Sequence, residues 1–487
     1  MKDSGRCFEK MITFILNREK ISTNLPRGMP VLDFLRRSQR LSGAREGCRE
    51  GDCGACLVLV GEWDGKKVSY QPVNSCLLPL AELHGKHIVT IEGLNTQKPH
   101  DLNPIQQAIA EEGATQCGFC TPGIIISLTS FFCNQSDFDE NQAIAALDGN
   151  ICRCTGYQAI KRAAGKLCKK LKKTALSDTQ KDPLNRLVKA QIFPSYFLKI
   201  PRQLQKLSVI HKKPSVQNSS KAIIVAGGTD LWVQKTTELY NANLMTLSHK
   251  KDLKGIRIEQ NRCYIGAATS INEMKKSPVL KKNFPKIGDY FKLIASTPIR
   301  NRATIGGNIV NASPVGDLII FFLALDTSII LDNHQNQREL ALKDFFKDYK
   351  QLDKNDNELV KGISFPLPVQ NSFFNFEKVS KRTHLDIASV NSAIQIVTDN
   401  SIIQQVHLSA GGVAPIPLYL SKVVNCLKGK KIQISSVRKA ASAAQSEISP
   451  VSDVRGSADY KRLLLRQLIY AHFITLFPEL LKKGEQL

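Results

Sequence analysis

The chain has 487 residues, of which 42% are hydrophobic, enough for ordinary buried cores and, at roughly 150 residues each, for about three domains. Lys and Arg (67) outnumber Asp and Glu (43), a formal net charge of +24. The densest basic run, Lys161 to Lys173, has no interleaved aromatics or RNA-binding motif, so a basic surface facing acidic cofactors or an acidic partner is expected and nucleic acid is not.

The N-terminal MKDSGRCFEK has no apolar core of signal-peptide length, and the longest apolar run, Leu318 to Leu325, is too short to span a bilayer. With an odd count of 13 cysteines, these features point to a reducing cytoplasm and to no membrane. In chain order, residues 11–16 and 20–25 read as a hairpin across Asn17-Arg18-Glu19, and 31–37 as a helix after Pro30. Then comes Cys48-Arg-Glu-Gly-Asp-Cys53-Gly-Ala-Cys56, completed by Cys76, with the C-x4-C-x2-C…C spacing of a plant-type [2Fe-2S] site. Gly47, Gly51 and Gly54 supply positions without a Cβ, where a loop must bring its amides close to cluster sulfurs. Residues 57–63 and 67–73 form a second hairpin across Asp64-Gly65, and 87–91 a further strand. This order predicts a ferredoxin-like β-grasp over residues 10–95.

From Asn103 the period becomes helical, with helices over 104–112, 122–132, 140–147 and 157–171; Thr121 is the expected N-cap, with Pro122 first in its helix. Cys117-Gly-Phe-Cys120 and Cys152-Arg-Cys154 fall in connections at helix ends. A bundle over 96–172 is expected to bury these pairs together between helices. This second quartet admits a cluster or a zinc ion, whereas the first lacks the paired C-x2-C knuckles of a zinc ribbon. Two clusters in tandem imply an electron wire. Residues 173–192, polar and carrying Pro183, read as a linker, and Cys7, Cys133, Cys168, Cys263 and Cys426 remain as free thiols.

Beyond residue 193 the pattern is mixed. Residues 222–226 form a short strand running into Gly227-Gly228-Thr229-Asp230, and Ala303-Thr304-Ile305-Gly306-Gly307-Asn308 repeats the device; each glycine-rich turn is expected to present amides to a pyrophosphate. G-x-G-x-x-G and P-loop motifs are both absent. Residues 373–379, 388–397 and 403–408 read as strands, followed by helices to 481. The nine histidines form no HExxH pair, and no hydrolytic chemistry is assigned.

The stretches EGCREGDCGAC, QCGFCTPG and GNICRCTGY, in this order and at these separations, closely resemble the iron–sulfur domains of the xanthine dehydrogenase family of molybdenum hydroxylases. AGGTDL, RNRATIGGNIVNASPVGD, KVSKRTHLD and SDVRGSADYKR extend the resemblance to the flavin part, from residue 11 to about 480. The resemblance implies an α+β multidomain chain: the β-grasp and four-helix [2Fe-2S] domains, an α+β FAD-binding domain over 193–370, and a C-terminal α/β subdomain over 373–482. It implies Cys48, Cys53, Cys56 and Cys76 on one cluster and Cys117, Cys120, Cys152 and Cys154 on the other. For FAD it implies Ala226, Gly227, Gly228, Thr229, Asp230 and Leu231, with Ala303, Thr304, Gly306, Gly307 and Asn308, on the diphosphate and ribityl chain. Ser313 and Asp317 would lie near the adenosine, and Lys378, Arg382 and Asp386 near the flavin ring or NAD.

Two positions depart from the family pattern: Leu57 stands where a small hydroxyl residue is expected, and Ile294 where mammalian members stack a phenylalanine on the flavin. The resemblance further implies that electrons from purine hydroxylation at molybdenum pass through the helical-domain cluster, the ferredoxin-type cluster and FAD to NAD+. Molybdopterin would then sit only in a large partner subunit, in a heterotetramer of two small and two large chains, since no third region of sufficient size is seen. The alternatives are the corresponding part of an aldehyde, carbon monoxide or aromatic-CoA hydroxylase, whose bacterial forms commonly separate the iron–sulfur and flavin parts, or a zinc-stabilised scaffold.

Overall fold

The computed structural model describes residues 11–95, 101–135, 137–176, 183–210, 222–333 and 335–483. Its backbone divides into two units, one comprising residues up to Thr246 together with Ser296–Arg302, the other Leu247–Ala295 together with the chain from Ala303.

In the first unit, β1 (Ile12–Leu16) and β2 (Glu19–Thr23) form the first hairpin. Its turn is shorter than expected, because Asn17 takes a left-handed conformation (φ 54°) and Glu19 already pairs with Leu16. Strands β3 (Leu57–Trp63) and β4 (Val68–Asn74) form the second, with the Asp64 carboxylate accepting from the Lys66 and Lys67 amides. A short β5 (His87–Val89) inserts parallel to β1 and antiparallel to β3, giving the order β2-β1-β5-β3-β4 of a β-grasp. The helix after Pro30, α1 (Val31–Asp33), runs on as a wider turn over Phe34–Ser38, in which the Gln39 amide bonds the Phe34 carbonyl. It packs Phe34 edge-on to Phe14.

Four helices follow: α2 (Pro104–Glu111), α3 (Thr121–Asn134), α4 (Glu140–Ala145) and α5 (Gln158–Leu176). Asn103 and Gln106 close a reciprocal cap on α2. Thr121 is not the cap of α3. Cys120 precedes the helix in an already helical conformation, so the first turn begins one residue early, and the Thr121 hydroxyl contacts that of Thr115 at 2.7 Å.

The stretch read as a linker is partly folded. Helix α5 continues to Leu176, and α6 (Pro183–Lys189) buries Leu187 in the helical core, joined by Ile192, Phe193 and Phe197. Leu184, Leu187, Val188 and Ile192 make the apolar stripe responsible. Phe193 and Phe197 stack at 3.9 Å. Next, α7 (Ile200–Ile210) sets Ile200, Leu204 and Leu207 against Ile15. The parallel pair β6 (Ile223–Val225) and β7 (Leu244–Thr246) contributes Val225 and Leu244 to the β-grasp core, and Trp232 donates to the Gly28 carbonyl at 3.1 Å.

The second unit has a five-stranded antiparallel sheet ordered β11 (Gln337–Ala341), β10 (Ser328–Asp332), β14 (Leu359–Pro366), β9 (Arg262–Gly266), β8 (Ile256–Glu259). A small pair, β12 (Phe346–Asp348) and β13 (Gln351–Leu352), lies beside it in sequence. An aromatic core gathers Phe284, Tyr290, Phe321, Phe374 and Phe376 around the buried helix Asp317–Leu323. The chain ends in an antiparallel meander of β15 (Ser372–Val379), β16 (Val390–Asp399), β17 (Ile402–Gly411) and β18 (Leu418–Tyr419), covered by helices Ile434–Gln445 and Ala458–Leu476.

Candidate functional site

The eight motif cysteines are all free thiols, and they come together in pairs. In the loop before β3, the Cys48 sulfur accepts from the amides of Glu50, Asp52 and Cys53, each at 3.3 Å. A thiol contact from Cys53, followed by these amides, lowers the Cys48 pKa to about 5 and pushes Cys53 up. The Cys56 and Cys76 sulfurs lie 3.4 Å apart in a buried pocket, which holds Cys56 down at about 7 and raises Cys76. In the second quartet, Cys117 and Cys154 are 3.5 Å apart and Cys120 bonds Cys152; burial, then that contact, pushes Cys120 up to about 12.

These S–H···S contacts stand where two thiolates would share one iron. Two sulfurs at about 2.3 Å from a tetrahedral metal are about 3.8 Å apart, close to what the pairs already adopt. In each quartet the sulfurs meet as two pairs, Cys48 with Cys53 and Cys56 with Cys76, Cys117 with Cys154 and Cys120 with Cys152, the arrangement that two irons with two thiolates each require. The residues present therefore fit [2Fe-2S] clusters.

The first loop is shaped for close approach. A Cβ on Gly47 would lie 2.8 Å from the Cys53 sulfur, and Gly51 and Gly54 have φ of +79° and +68°. Arg49, a non-glycine residue at φ 56°, is held there by Asp33 at 2.6 and 3.2 Å and by Glu46 at 2.7 Å. Nothing in the sequence marks Asp33 as its partner, fifteen residues upstream of the motif. Leu57 is buried with Leu59 and Tyr70 in the core shared with α3, which accounts for an apolar residue after Cys56.

The second quartet is not buried between helices as expected. Cys117 and Cys154 are exposed, and Cys152 is buried. The reason is local: the pairs lie in the connections preceding α3 and α5, where Gly118 (φ +76°) and Tyr157 (φ 69°) turn the chain outward. Phe119, Ile151 and Tyr157 are exposed at the same rim.

Sequence reasoning also missed the segment Ser296–Arg302, which folds with the iron–sulfur unit. Asp148 accepts from the Thr297 amide at 2.8 Å and hydroxyl at 3.1 Å and pairs with Arg300, while Arg302 bonds Glu82 at 2.9 Å and the Gly227 carbonyl at 3.1 Å. Asn301 donates to the Pro72 carbonyl at 3.0 Å.

The flavin segments differ from each other. In Ala226–Leu231, Gly228 is left-handed at φ +79°, and the amides of Gly227, Gly228 and Thr229 make no backbone hydrogen bond among the described residues. This is an open nest for an anion. In Ala303–Asn308 the expected loop is instead the start of helix Ile305–Asn311, capped by Thr304. Its amides are engaged: Ile305 bonds the Thr269 carbonyl, Gly306 that of Ala267, and Gly307 the Thr304 hydroxyl. Gly306 is where this helix meets Ala267, whose Cβ would lie 2.6 Å from an added Cβ. Among the described residues the buried Asn308 Oδ1 has no partner, an acceptor open to a ligand donor.

Lys378, almost wholly buried in β15, donates to Asp317 and to the Leu293 carbonyl, both at 2.7 Å, and Asn391 bonds the other Asp317 oxygen at 2.6 Å. Lys378 and Asp317 are thus each other's counter-charge. Ile294 is buried in the aromatic-rich core, Ser313 accepts from the Gly316 amide, and the Asp386 carboxylate accepts from the Arg382 amide at 2.9 Å on an exposed loop.

Four family models match in order: a 2Fe-2S iron-sulfur cluster binding domain (residues 14–81), a [2Fe-2S] binding domain (90–165), the FAD binding domain in molybdopterin dehydrogenase (196–368) and the CO dehydrogenase flavoprotein C-terminal domain (376–476). The chain belongs to the molybdenum hydroxylases. It is their iron–sulfur and flavin part, an electron-transfer module with two 2Fe-2S domains and an FAD-binding domain. Each thiol quartet falls inside one of the two 2Fe-2S matches, and both flavin segments inside the third.

Among relatives of this hydroxylase module, xanthine dehydrogenase of Oryza sativa is 27% identical over 94% of the chain and 39% of that protein. Xanthine dehydrogenase of Dictyostelium discoideum is 28% identical over 97% and 41%, and aldehyde oxidase 2 of Mus musculus 25% over 96% and 39%. The chain spans about two fifths of the length of these relatives. Among solved structures, a chain of carbon monoxide dehydrogenase from Hydrogenophaga pseudoflava superposes with a TM-score of 0.51 at 27% identity, covering 54% of this chain and 91% of that one. No described helix is long and apolar enough to cross a membrane.

Proposed function

We propose that this chain is the iron–sulfur/FAD subunit of a xanthine dehydrogenase, acting in the cytoplasm in purine catabolism and relaying electrons from a molybdopterin-bearing large subunit to NAD+. The observation that carries the reading is that xanthine dehydrogenases among the relatives match over 94% and 97% of a chain whose iron–sulfur and flavin family models follow one another in order. Aldehyde oxidase 2 matches to a similar extent, which keeps an aldehyde as the second substrate reading.

The two quartets suit opposite ends of a relay. Cys117 and Cys154 lie at a surface edged by Phe119, Ile151 and Tyr157, where an electron donor on a partner protein can dock. In the ferredoxin-type site Cys56 and Cys76 are buried while Cys48 and Cys53 are half-buried, so this site is the more enclosed of the two. Cys48, Cys53, Cys56 and Cys76 would hold one cluster, and Cys117, Cys120, Cys152 and Cys154 the other. When bound, the clusters supply one-electron carriers, and FAD supplies a two-electron store able to exchange hydride with nicotinamide. The amides of Gly227, Gly228 and Thr229 would face the FAD diphosphate, Asn308 would accept from the cofactor, and Lys378 with Asp317 would orient the segment around Leu293.

The test is a division of activities. The isolated chain is expected to reduce an artificial dye with NADH and not to oxidise xanthine. Adding the molybdopterin partner, in a two-plus-two assembly, is expected to bring xanthine-dependent NAD+ reduction. Cys117→Ser should abolish the coupled reaction while sparing the NADH–dye reaction. Xanthine oxidation by the isolated chain, or coupled turnover of an aldehyde but not of xanthine, refutes the reading.

A further inference from the structure

The open turn Gly227-Gly228-Thr229 is tethered from the β-grasp domain. It is carried by two planar peptide units, and in each the carbonyl and the following amide point in opposite directions. The Gly228 carbonyl accepts from the Trp232 amide at 3.0 Å, and the Trp232 indole donates to the Gly28 carbonyl at 3.1 Å. The Gly227 carbonyl accepts from one nitrogen of the Arg302 guanidinium at 3.1 Å, and another nitrogen of that group donates to Glu82 at 2.9 Å. With both carbonyls held, the directions of the Gly228 and Thr229 amides are set as well. Glu82 is fully buried on the turn Leu80–Leu83, just beyond the turn Ser75–Leu77 that carries Cys76. It also pairs with Lys86 at 3.5 Å, which bonds Glu62 at 2.6 Å, and its charge offsets the burial of Arg27. The Arg302 side chain is 12% exposed, and among the described residues its buried Nε has no partner, a donor open to a ligand oxygen. Glycine takes either hand of φ at little cost, so a peptide between two glycines can flip. A flip between Gly227 and Gly228 would put a carbonyl oxygen where the Gly228 amide points, and an anion there would be repelled. Arg302 opposes the flip, because the carbonyl would have to give up a charge-assisted hydrogen bond.

We propose that Arg302 is a positioning residue for the FAD diphosphate, keeping the Gly228 amide turned toward it, and that Glu82 acts through Arg302, so that flavin affinity is set from the β-grasp domain. The proposal rests on the reading of Gly227-Gly228-Thr229 as the diphosphate site. It asks of Glu82 only that it hold the guanidinium in place; removing the carboxylate frees Arg302 to leave the Gly227 carbonyl, and the turn then loses its fixed direction.

The experiment uses the full chain with its clusters loaded and its flavin removed, titrated with FAD. Arg302→Met is expected to raise the Kd for FAD at least about tenfold, the scale of one hydrogen bond to a charged group. Glu82→Gln is expected to do the same, and the double variant to bind no more weakly than the weaker single one, because both act on one peptide unit. In oxidised protein saturated with FAD, the 31P resonances of the diphosphate should move in Arg302→Met while the visible flavin spectrum stays that of wild type. An unchanged Kd in Arg302→Met overturns the proposal, as do additive losses in the double variant. Weaker binding with unmoved 31P resonances marks a merely structural loss and overturns it too. If a variant fails to hold its clusters, a crystal structure of the wild-type chain loaded with FAD decides. The Gly228 amide on a diphosphate oxygen, with the Gly227 carbonyl still on Arg302, supports the proposal, and any other partner for that amide overturns it. A wild-type chain that takes up no FAD overturns the flavin reading itself, and the proposal with it.

Discussion

Replacing Asp148 by alanine should destabilise the iron–sulfur unit far more than an average polar substitution. The side chains of Asp148 and Arg300 are 7% and 2% exposed, and the carboxylate also takes both donors of Thr297. Removing it leaves the Arg300 guanidinium buried without this counter-charge, at a cost of about 3–5 kcal/mol. For a unit of this size each kcal/mol moves the melting temperature by about 2–4 °C, so calorimetry of the cluster-loaded chain should show a fall of about 6–20 °C. Replacing both partners by apolar residues, Asp148→Leu with Arg300→Met, should recover most of the loss, because the desolvation of two charges disappears along with their attraction. A single variant melting within about 2 °C of wild type, or a double variant falling as far as the single, refutes the reasoning.

Asp33→Asn removes a negative charge beside Arg49 and the Cys48 loop, and should raise the potential of the ferredoxin-type cluster by about 40 mV, on the order of 1 kcal/mol, read by redox titration. Lys378→Met leaves Asp317 with Asn391 and without its counter-charge; flavin content should drop, the second unit should lose about 3 kcal/mol in denaturant melts, and Lys378→Arg should not rescue either, since the planar fork cannot occupy the ammonium's enclosed position. Burial lowers the His87 pKa to about 4 from an ordinary 6.5. The native state therefore binds fewer protons than the unfolded chain between these values, and about 3 kcal/mol of stability should be lost as pH falls from 6.5 to 4. Urea melts of His87→Gln should show a shallower loss over that range.

The cysteine spacing and the two hairpins around Asn17 and Asp64 made the β-grasp legible, because cluster ligation and tight turns are local in sequence. The helices around Cys117, Cys120, Cys152 and Cys154 were legible too, but not the exposure of Cys117 and Cys154, which depends on how far Gly118 and Tyr157 swing the connections outward. The stripe Leu184, Leu187, Val188 and Ile192 was present but diluted by charges, so a packed helix read as a linker. Strand-then-glycine patterns look alike at 222–228 and 303–308, yet Thr304 caps a helix and Gly228 makes an open turn; only the partners of the amides distinguish them. Long-range ion pairs, Asp33 with Arg49 and Asp148 with Arg300, have no sequence signature at all.

The placement of Ser296–Arg302 bears on how such a chain can be divided. A protein cut at residue 192, where sequence similarity changes from cluster-binding to flavin-binding, would lose Arg300 from Asp148, Arg302 from Glu82, and the indole of Trp232 from Gly28. The smallest self-sufficient iron–sulfur fragment is therefore discontinuous, and a gene split at that boundary would oblige the two products to associate before either was properly buried. Fragment expression or domain grafting should keep these residues in trans or supply apolar replacements for the carboxylates they neutralise.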